Sequence, residues 1–140
     1  MKKVVLLSCV SKKKDTATNA ENMYDSTLFK YALKYAQSHN PDKIFILSAQ
    51  YGLLETSDVI KPYNKTLNKM KKNEQLEWSN LVLRQMIVKK LDLKKDHFII
   101  LAGNRYRKYL LDYITHYELP LEGKRIGEQL SFLKGAVINE

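Results

Sequence analysis

Three short apolar segments constrain the fold of this chain more than any other feature. They are VVLLSCV at 4–10, KIFILSA at 43–49 and HFIILAG at 97–103. Each is nearly continuous in apolar character and lacks the alternation of a sheet with one solvated face. Such segments are typical of strands buried on both faces, so the sequence predicts three strands of a parallel sheet.

Helical patterns lie between and after these strands. Residues 25–40 carry one apolar stripe, with Asp25 or Ser26 as the N-cap and Asn40-Pro41 as the stop. A second helix is predicted from about 73 to 91. Its apolar face would consist of Leu76, Leu81, Leu83, Met86, Ile87 and Leu91. A third helix is predicted from the helical spacing of Tyr106, Tyr109, Leu110, Tyr113, Ile114 and Tyr117, and a fourth from Ile126, Leu130 and Leu133.

The order of these elements is β-α-β-α-β-α-α. It predicts a three-layer α/β fold, in which an open and mainly parallel sheet carries helices on both faces. The length of 140 residues suits one hydrophobic core, so residues 1–140 are expected to form a single domain.

Composition excludes several classes of protein. No apolar run approaches the roughly 20 residues that span a bilayer, and no small-residue cleavage site follows VVLLSCV, so a cytoplasmic protein without a membrane partner is expected. Cys9 is the single cysteine and cannot form an internal disulfide. Histidines and carboxylates never occur at ligand spacing, so neither a metal nor a cofactor is predicted.

The net charge of +9 favours an anionic partner such as a nucleotide or a nucleic acid. Of the 24 basic residues only four are arginine, the better reader of phosphate and guanine. A lysine excess of this kind is also typical of genome composition, so charge alone leaves DNA, RNA and free nucleotides as alternatives.

Polar groups follow each predicted strand. Because ligands of open parallel sheets bind outside the carboxyl ends of the strands, we expect three loops to converge on one site. The loops contribute Ser8, Cys9 and Lys12, then Ser48, Tyr51 and Gly52, then Gly103, Asn104 and Arg105.

Four of the candidate side chains have a structural alternative. Lys12 either holds a phosphate or belongs to a solvated basic loop. Cys9 lacks a histidine base nearby, which favours a small buried residue over a nucleophile. Asn104 either reads a base edge or caps a helix. Asp58 is either a general base or stabiliser of positive charge, or an ordinary turn residue.

Several motifs resemble a family of small bacterial and phage domains distantly similar to the peroxide-stress protein YaaA. The matching pieces are SCVSKK, LFKYALKYA, LSAQYGLLETSDVIKPYNKTL, Trp78, LAGNRYRKYL and PLEGKRIGEQLSFL, in chain order. The resemblance implies a fold similar to that of uracil-DNA glycosylases and an association with oxidative stress and DNA binding. Related domains occur alongside enzymes that exchange or modify bases in tRNA and DNA.

The resemblance also implies a shared ligand site on the motif residues. These are Ser8, Lys12, Ser48, Tyr51, Gly52, Pro62, Tyr63, Gly103, Asn104, Tyr106, Gly127 and Gln129.

Two functions from different classes follow from these residues. The first is hydrolysis or exchange at an N-glycosidic bond, in which Tyr51 or Tyr63 stacks on the base, Asn104 reads it, Lys12 holds a phosphate and Asp58 stabilises an oxocarbenium-like state. The second is a non-enzymatic module that binds DNA, RNA or a nucleotide, associated with stress or phage defence. An adaptor without either property is a third reading, and the sequence leaves enzymatic activity open.

Overall fold

The fold is described from a computed structural model that covers residues 1–138, with side chains as far as residue 137. The strands are β1 (Lys3–Ser8), β2 (Thr18–Asn19), β3 (Lys43–Ser48), β4 (Gly52–Glu55), β5 (Val59–Ile60), β6 (His97–Leu101) and β7 (His116–Glu118). The helices are α1 (Ala20–Met23), α2 (Thr27–Ser38), α3 (Lys72–Val88), α4 (Asn104–Arg107) and α5 (Ile126–Ile138). Single 3-10 turns lie at Leu67–Lys69 and Leu111–Tyr113.

The main sheet has five strands in the order β4-β3-β1-β6-β7. β1 pairs in parallel with both β3 and β6, and in this register Leu6 lies opposite Phe45 and Ile100. β7 continues the parallel pairing on β6, whereas β4 runs antiparallel to β3. The predicted α/β class with a mainly parallel sheet is therefore confirmed, and the sheet is mixed at one edge.

The helices cover the central strands and complete the core. α2 packs on β1 and on α5, and α3 packs on β4. The β1-to-β3 and β3-to-β6 crossovers run in opposite directions across the sheet, so right-handed connections put α2 and α3 on opposite faces. Ser26 is the N-cap of α2, because its hydroxyl accepts a hydrogen bond from the Phe29 amide at 3.0 Å.

The predicted helix over 106–117 is wrong. α4 stops at Arg107, and the chain passes through a 3-10 turn into β7. Tyr113 and Tyr117 are exposed, so only part of the helical repeat is used for packing. The outer edge of β6 offers unpaired backbone groups, and residues 116–118 satisfy them by joining the sheet.

The segment after β3, which the sequence predicts as a loop, contains two short strands. It turns at Gly52, whose φ is +75°, and returns along β3 as β4. β5 then pairs with β2 in a separate two-stranded sheet. Leu53, Leu54 and Ile60 are buried, whereas Val59 is exposed.

Helix α3 begins and ends close to its predicted limits, but its buried face is shifted. Trp78, Val82 and Met86 are buried, whereas Leu76 and Ile87 of the predicted apolar face are exposed. Within residues 1–138, no helix combines the length and apolar character needed to cross a membrane.

Candidate functional site

Two connected cavities lie at the carboxyl ends of β1 and β6. The chain leaves β1 toward β3 and leaves β6 toward β7, so the loops diverge and open a crevice between the two strands. Both cavities are lined by Ser8, Cys9, Val10, Gly103 and Asn104. We call them the inner cavity, which extends toward α2, and the outer groove, which extends toward residues 64–69.

The inner cavity has a volume of about 340 Å³ and a mixed lining. Apolar walls come from Val10, Leu28, Phe29, Ala32, Leu101, Ala102 and Leu121, and polar groups come from Arg107, Glu122, Lys124 and Gln129. A flat apolar ring with polar edges suits such a lining better than a compact ion does.

Arg107 is the most buried charge of the inner cavity, with a side chain that is 12% exposed. Its Nη1 donates to the Ala102 carbonyl at 3.3 Å, and its Nη2 lies 3.7 Å from Oε2 of Glu122. Gln129 is also fixed, because its Nε2 donates to the Lys124 carbonyl at 3.0 Å. The polar groups are thus held in place before any ligand arrives.

The outer groove is larger, at about 720 Å³, and strongly basic. Its cations are Lys13, Lys65, Lys69 and Arg105, and its neutral polar groups are Ser11, Asn64, Thr66 and Asn68. Among residues 1–137, no aspartate or glutamate lines it. Four positive charges without a carboxylate favour a phosphate-bearing ligand.

Lys13 is one of the four cations of the outer groove. Its Nζ lies 4.3 Å from the centroid of the Tyr63 ring and donates to the Ser11 carbonyl at 3.2 Å. Burial lowers the pKa of Lys13, while the nearby Cys9 opposes that shift. The aromatic face stabilises the ammonium form, so Lys13 is a positioned cation.

Asn104 stands where the two cavities meet. Gly103 occupies the N-cap position of α4, so Asn104 is the first helical residue and not the cap. Its side chain is exposed and lines both cavities. An amide at this junction offers a donor and an acceptor to a ligand that spans the two compartments.

Residues 48–63 of the second loop form an internal network and line neither cavity. The Ser48 hydroxyl donates to the Tyr63 hydroxyl at 2.8 Å, and the hydroxyls of Tyr24 and Tyr63 are 2.7 Å apart. Trp78 Nε1 donates to the Ser48 carbonyl at 2.9 Å. Burial raises the pKa of Tyr24 to about 12 and also raises the pKa of Tyr63. These phenols stay neutral and hold the loop to the body.

Tyr51 and Gly52 are engaged with α3. Gln85 Oε1 accepts from the Leu53 amide at 2.7 Å, and Gln85 Nε2 donates to the Tyr51 carbonyl at 3.1 Å. The Tyr51 hydroxyl is 3.3 Å from backbone atoms of Lys61. These contacts give both residues a structural role.

Cys9 is buried, as predicted for a small residue at a strand end. Its Sγ donates to the Tyr106 hydroxyl at 3.4 Å. The Tyr106 ring meets Trp78 edge to face with centroids 5.6 Å apart, and burial raises the pKa of Tyr106. Cys9 and Tyr106 therefore form part of the floor of the outer groove.

Asp58 lies in the turn after β4. Its Oδ2 accepts from the Glu55 amide at 2.8 Å, and its carbonyl accepts from the Ala20 amide at 2.7 Å. It lines neither cavity. The geometry agrees with the turn-residue alternative for this carboxylate.

The structure brings together only part of the predicted ligand set. The residues that line a cavity are Ser8, Cys9, Gly103, Asn104, Arg105, Tyr106 and Gln129. Those that line neither are Lys12, Ser48, Tyr51, Gly52, Pro62, Tyr63 and Gly127. The predicted residues of the first and third loops therefore line the crevice, whereas those of the second loop support it and only its continuation, segment 64–69, lines the outer groove.

Sequence reasoning missed Lys13, Arg107, Glu122 and Lys124. Lys13 lies in an extended segment that bridges to Tyr24, where neighbouring side chains point to opposite sides, so only one of Lys12 and Lys13 can face the groove. Arg107 follows Arg105 closely after the third strand, and that pairing was a usable signal. Glu122 and Lys124 lie within the motif PLEGKRIGEQLSFL, in which only Gly127 and Gln129 were assigned to the site.

Comparison with known proteins adds a family without assigned chemistry. A model described as a family of unknown function (DUF6884) matches residues 4–135. No curated protein and no solved structure matches the chain. The relation to YaaA and the uracil-DNA glycosylase-like fold stay predictions.

Proposed function

The chain belongs to the DUF6884 family of unknown function, and we propose that it binds a nucleotide, either free or as part of a nucleic acid. The base occupies the inner cavity and the phosphate occupies the outer groove. The observation that carries this proposal is the direct connection of a partly apolar cavity to a groove with four cations.

The division of charge between the compartments supports this orientation. In the inner cavity Nη2 of Arg107 lies 3.7 Å from Oε2 of Glu122, which offsets part of its charge. In the outer groove the cations stand without a carboxylate among residues 1–137. A phosphate is therefore stabilised more strongly outside than inside, and a neutral base more strongly inside.

The wall of the inner cavity supplies the groups that a base requires. Phe29 and Leu28 offer apolar contact to its faces, while Asn104 and Gln129 offer amides to its edges. Leu28 and Phe29 thus contact the faces of the base, the role first predicted for Tyr51 and Tyr63, because both tyrosines lie outside the cavity. Lys13, Lys65 and Lys69 replace Lys12 as the phosphate contacts.

Hydrolysis or exchange at an N-glycosidic bond is a second candidate function. It is favoured by Glu122, the carboxylate of the inner cavity, which lies 3.7 Å from Arg107. In this reading Glu122 takes the role first considered for Asp58, orienting water or stabilising positive charge on the sugar. The resemblance to YaaA-type domains points to the same chemistry, because related domains accompany enzymes that modify bases.

The proposal is tested by calorimetric titration at low salt with nucleoside 5′-monophosphates, nucleosides and inorganic phosphate. We expect each monophosphate with a suitable base to bind more tightly than its nucleoside or phosphate alone, because only the monophosphate fills both compartments. The double substitution Lys65→Gln/Lys69→Gln should weaken monophosphate binding and leave nucleoside binding unchanged.

A matched control removes the same charge elsewhere. Lys94→Gln/Lys95→Gln changes two exposed lysines outside both cavities and should leave affinity unchanged. If no monophosphate binds, or if phosphate alone binds equally well, nucleotide binding is wrong. Chromatography of the same mixtures distinguishes the two functions. Release of free base that is lost in Glu122→Gln but retained in Asp58→Asn indicates the enzyme. If the wild-type protein releases no free base, the protein is a binding module.

A further inference from the structure

A third cavity continues the basic surface beyond the outer groove. It has a volume of about 430 Å³, and we call it the distal groove. Asn104 and Arg105 line both the outer and the distal groove, so the two grooves are adjacent. The crevice is therefore longer than one nucleotide site requires.

The distal groove repeats the charge pattern of the outer groove. Lys72, Arg105 and Lys108 line it, and no aspartate or glutamate does so among residues 1–137. Lys72 is the first residue of α3, where the positive end of the helix dipole adds to the attraction for an anion. A single phosphate in the outer groove would leave Lys72 and Lys108 unused, because of the three cations only Arg105 also lines the outer groove.

The distal groove also contains an aromatic surface. The Tyr109 ring is partly exposed, and Nζ of Lys108 lies 5.4 Å from its centroid. Gln75 lies beside it, with Nε2 donating to the Met70 carbonyl at 3.0 Å. An aromatic face next to cations is the arrangement on which successive bases of a single strand stack.

We propose that the ligand is a single-stranded nucleic acid whose chain runs from the outer groove into the distal groove, with a second base stacked on Tyr109. This inference rests on the proposed nucleotide site and extends it to a substrate class. A duplex does not meet the same geometry, because the first base must leave its stack to enter the inner cavity. A free mononucleotide would leave Tyr109 and Lys108 without a role.

The test compares a nucleoside monophosphate with single-stranded dinucleotides and tetranucleotides of the same base by calorimetry. We expect affinity to increase from the monophosphate to the dinucleotide. Tyr109→Ala should lower dinucleotide affinity by roughly 5-fold to 150-fold, the range of one base-aromatic stack, and leave monophosphate affinity unchanged. Tyr113→Ala is the matched control, since Tyr113 is exposed and lines none of the three cavities.

A charge variant keeps the test decisive if Tyr109→Ala fails to fold. Lys72→Gln/Lys108→Gln should reduce the slope of log affinity against log salt for the tetranucleotide by about 1.4, since each single-strand phosphate contact contributes roughly 0.7. Lys94→Gln/Lys95→Gln again serves as the control of equal charge.

The outcomes separate the two proposals. If the monophosphate binds but the dinucleotide binds no more tightly, the single-strand inference is overturned and the nucleotide site stands. If Tyr109→Ala weakens both ligands equally, or if a duplex of the same sequence binds more tightly than the single strand, the inference is also overturned. If neither ligand binds, nucleotide binding itself is wrong.

Discussion

Substitution of Gly52 by alanine tests whether the second loop is structural or part of the ligand site. Gly52 has φ +75°, and a Cβ at this position would overlap Gln85 Oε1 and approach Gln85 Cδ to 3.1 Å. The backbone must therefore adopt a conformation that L residues disfavour, and the Gln85 side chain must move.

The cost has two parts that can be worked out separately. The left-handed backbone costs alanine roughly 1–2 kcal/mol. Displacing Gln85 breaks its 2.7 Å hydrogen bond from the Leu53 amide, and an amide left unpaired in a part-buried site costs about 1–3 kcal/mol. Gly52→Ala should thus lower the free energy of unfolding by roughly 2–5 kcal/mol.

Urea unfolding of a double-mutant cycle measures both parts. In the Gln85→Ala background the overlap and the hydrogen bond are already gone, so Gly52→Ala should cost only roughly 1–2 kcal/mol. Gly123→Ala is the matched control, because Gly123 also has φ +75° but a Cβ there would meet no atom within 4 Å. An equal cost for Gly52→Ala in both backgrounds would refute the role of Gln85. A folded Gly52→Ala protein that no longer binds a nucleotide would indicate that Gly52 belongs to the ligand site.

Two pH-dependent predictions follow from buried ionisable groups. Burial raises the pKa of Tyr24 to about 12 in the folded state, above the unfolded value of about 10. The contribution of Tyr24 to the free energy of unfolding is therefore constant below about pH 10 and is lost as the pH rises toward 12. Between pH 9 and pH 11, urea unfolding should show that the free energy of unfolding falls by about 1.4 kcal/mol because of Tyr24, and Tyr24→Phe should remove this fall. Equal stability at both pH values would contradict the burial of Tyr24. Burial alone would raise the pKa of Asp96, but hydrogen bonds from the Lys2 and Asp92 amides, both 2.8 Å, hold it below its usual range. Asp96→Asn should lower the free energy of unfolding by about 1–3 kcal/mol at pH 6. The loss should become smaller as the pH falls below about 4, because the carboxylate of the unfolded chain then takes up a proton that the native carboxylate, with its lowered pKa, does not. A cost independent of pH would refute this assignment.

The central strands of the fold were predictable, and its edges were not. β3 and β6 lie within their apolar segments and β1 extends beyond its segment only by Lys3, because the middle of a strand covered on both faces is apolar. β7 has the sequence HYE with all three residues exposed. Its pairing depends on the free edge of β6, which no local pattern of the chain records. The same holds for β4, whose place is set by the turn at Gly52 and by β3.

The residues of the candidate site were likewise predictable only in part. Strand ends can be located from apolar segments, so Ser8, Cys9, Gly103 and Asn104 were found at the crevice. Tyr63 was assigned to a ligand because an aromatic residue that stacks on a base and one that packs on a neighbour have the same sequence signal. The hydrogen bonds with Ser48 and Tyr24, at 2.8 Å and 2.7 Å, identify Tyr63 as an internal residue.

The internal network is nevertheless connected to the crevice. Trp78 bonds the Ser48 carbonyl and meets the ring of Tyr106, which in turn accepts a hydrogen bond from Cys9 at the junction of the two cavities. A change in the second loop can therefore alter ligand affinity by moving Tyr106, or by moving Tyr63, whose ring centroid lies 4.3 Å from Nζ of Lys13. The residues that line the two cavities come from the first loop, α2, segment 64–69, the third loop and segment 121–129. Residues 48–63 therefore support the crevice, and the segment after β3 begins to line a cavity only at Asn64.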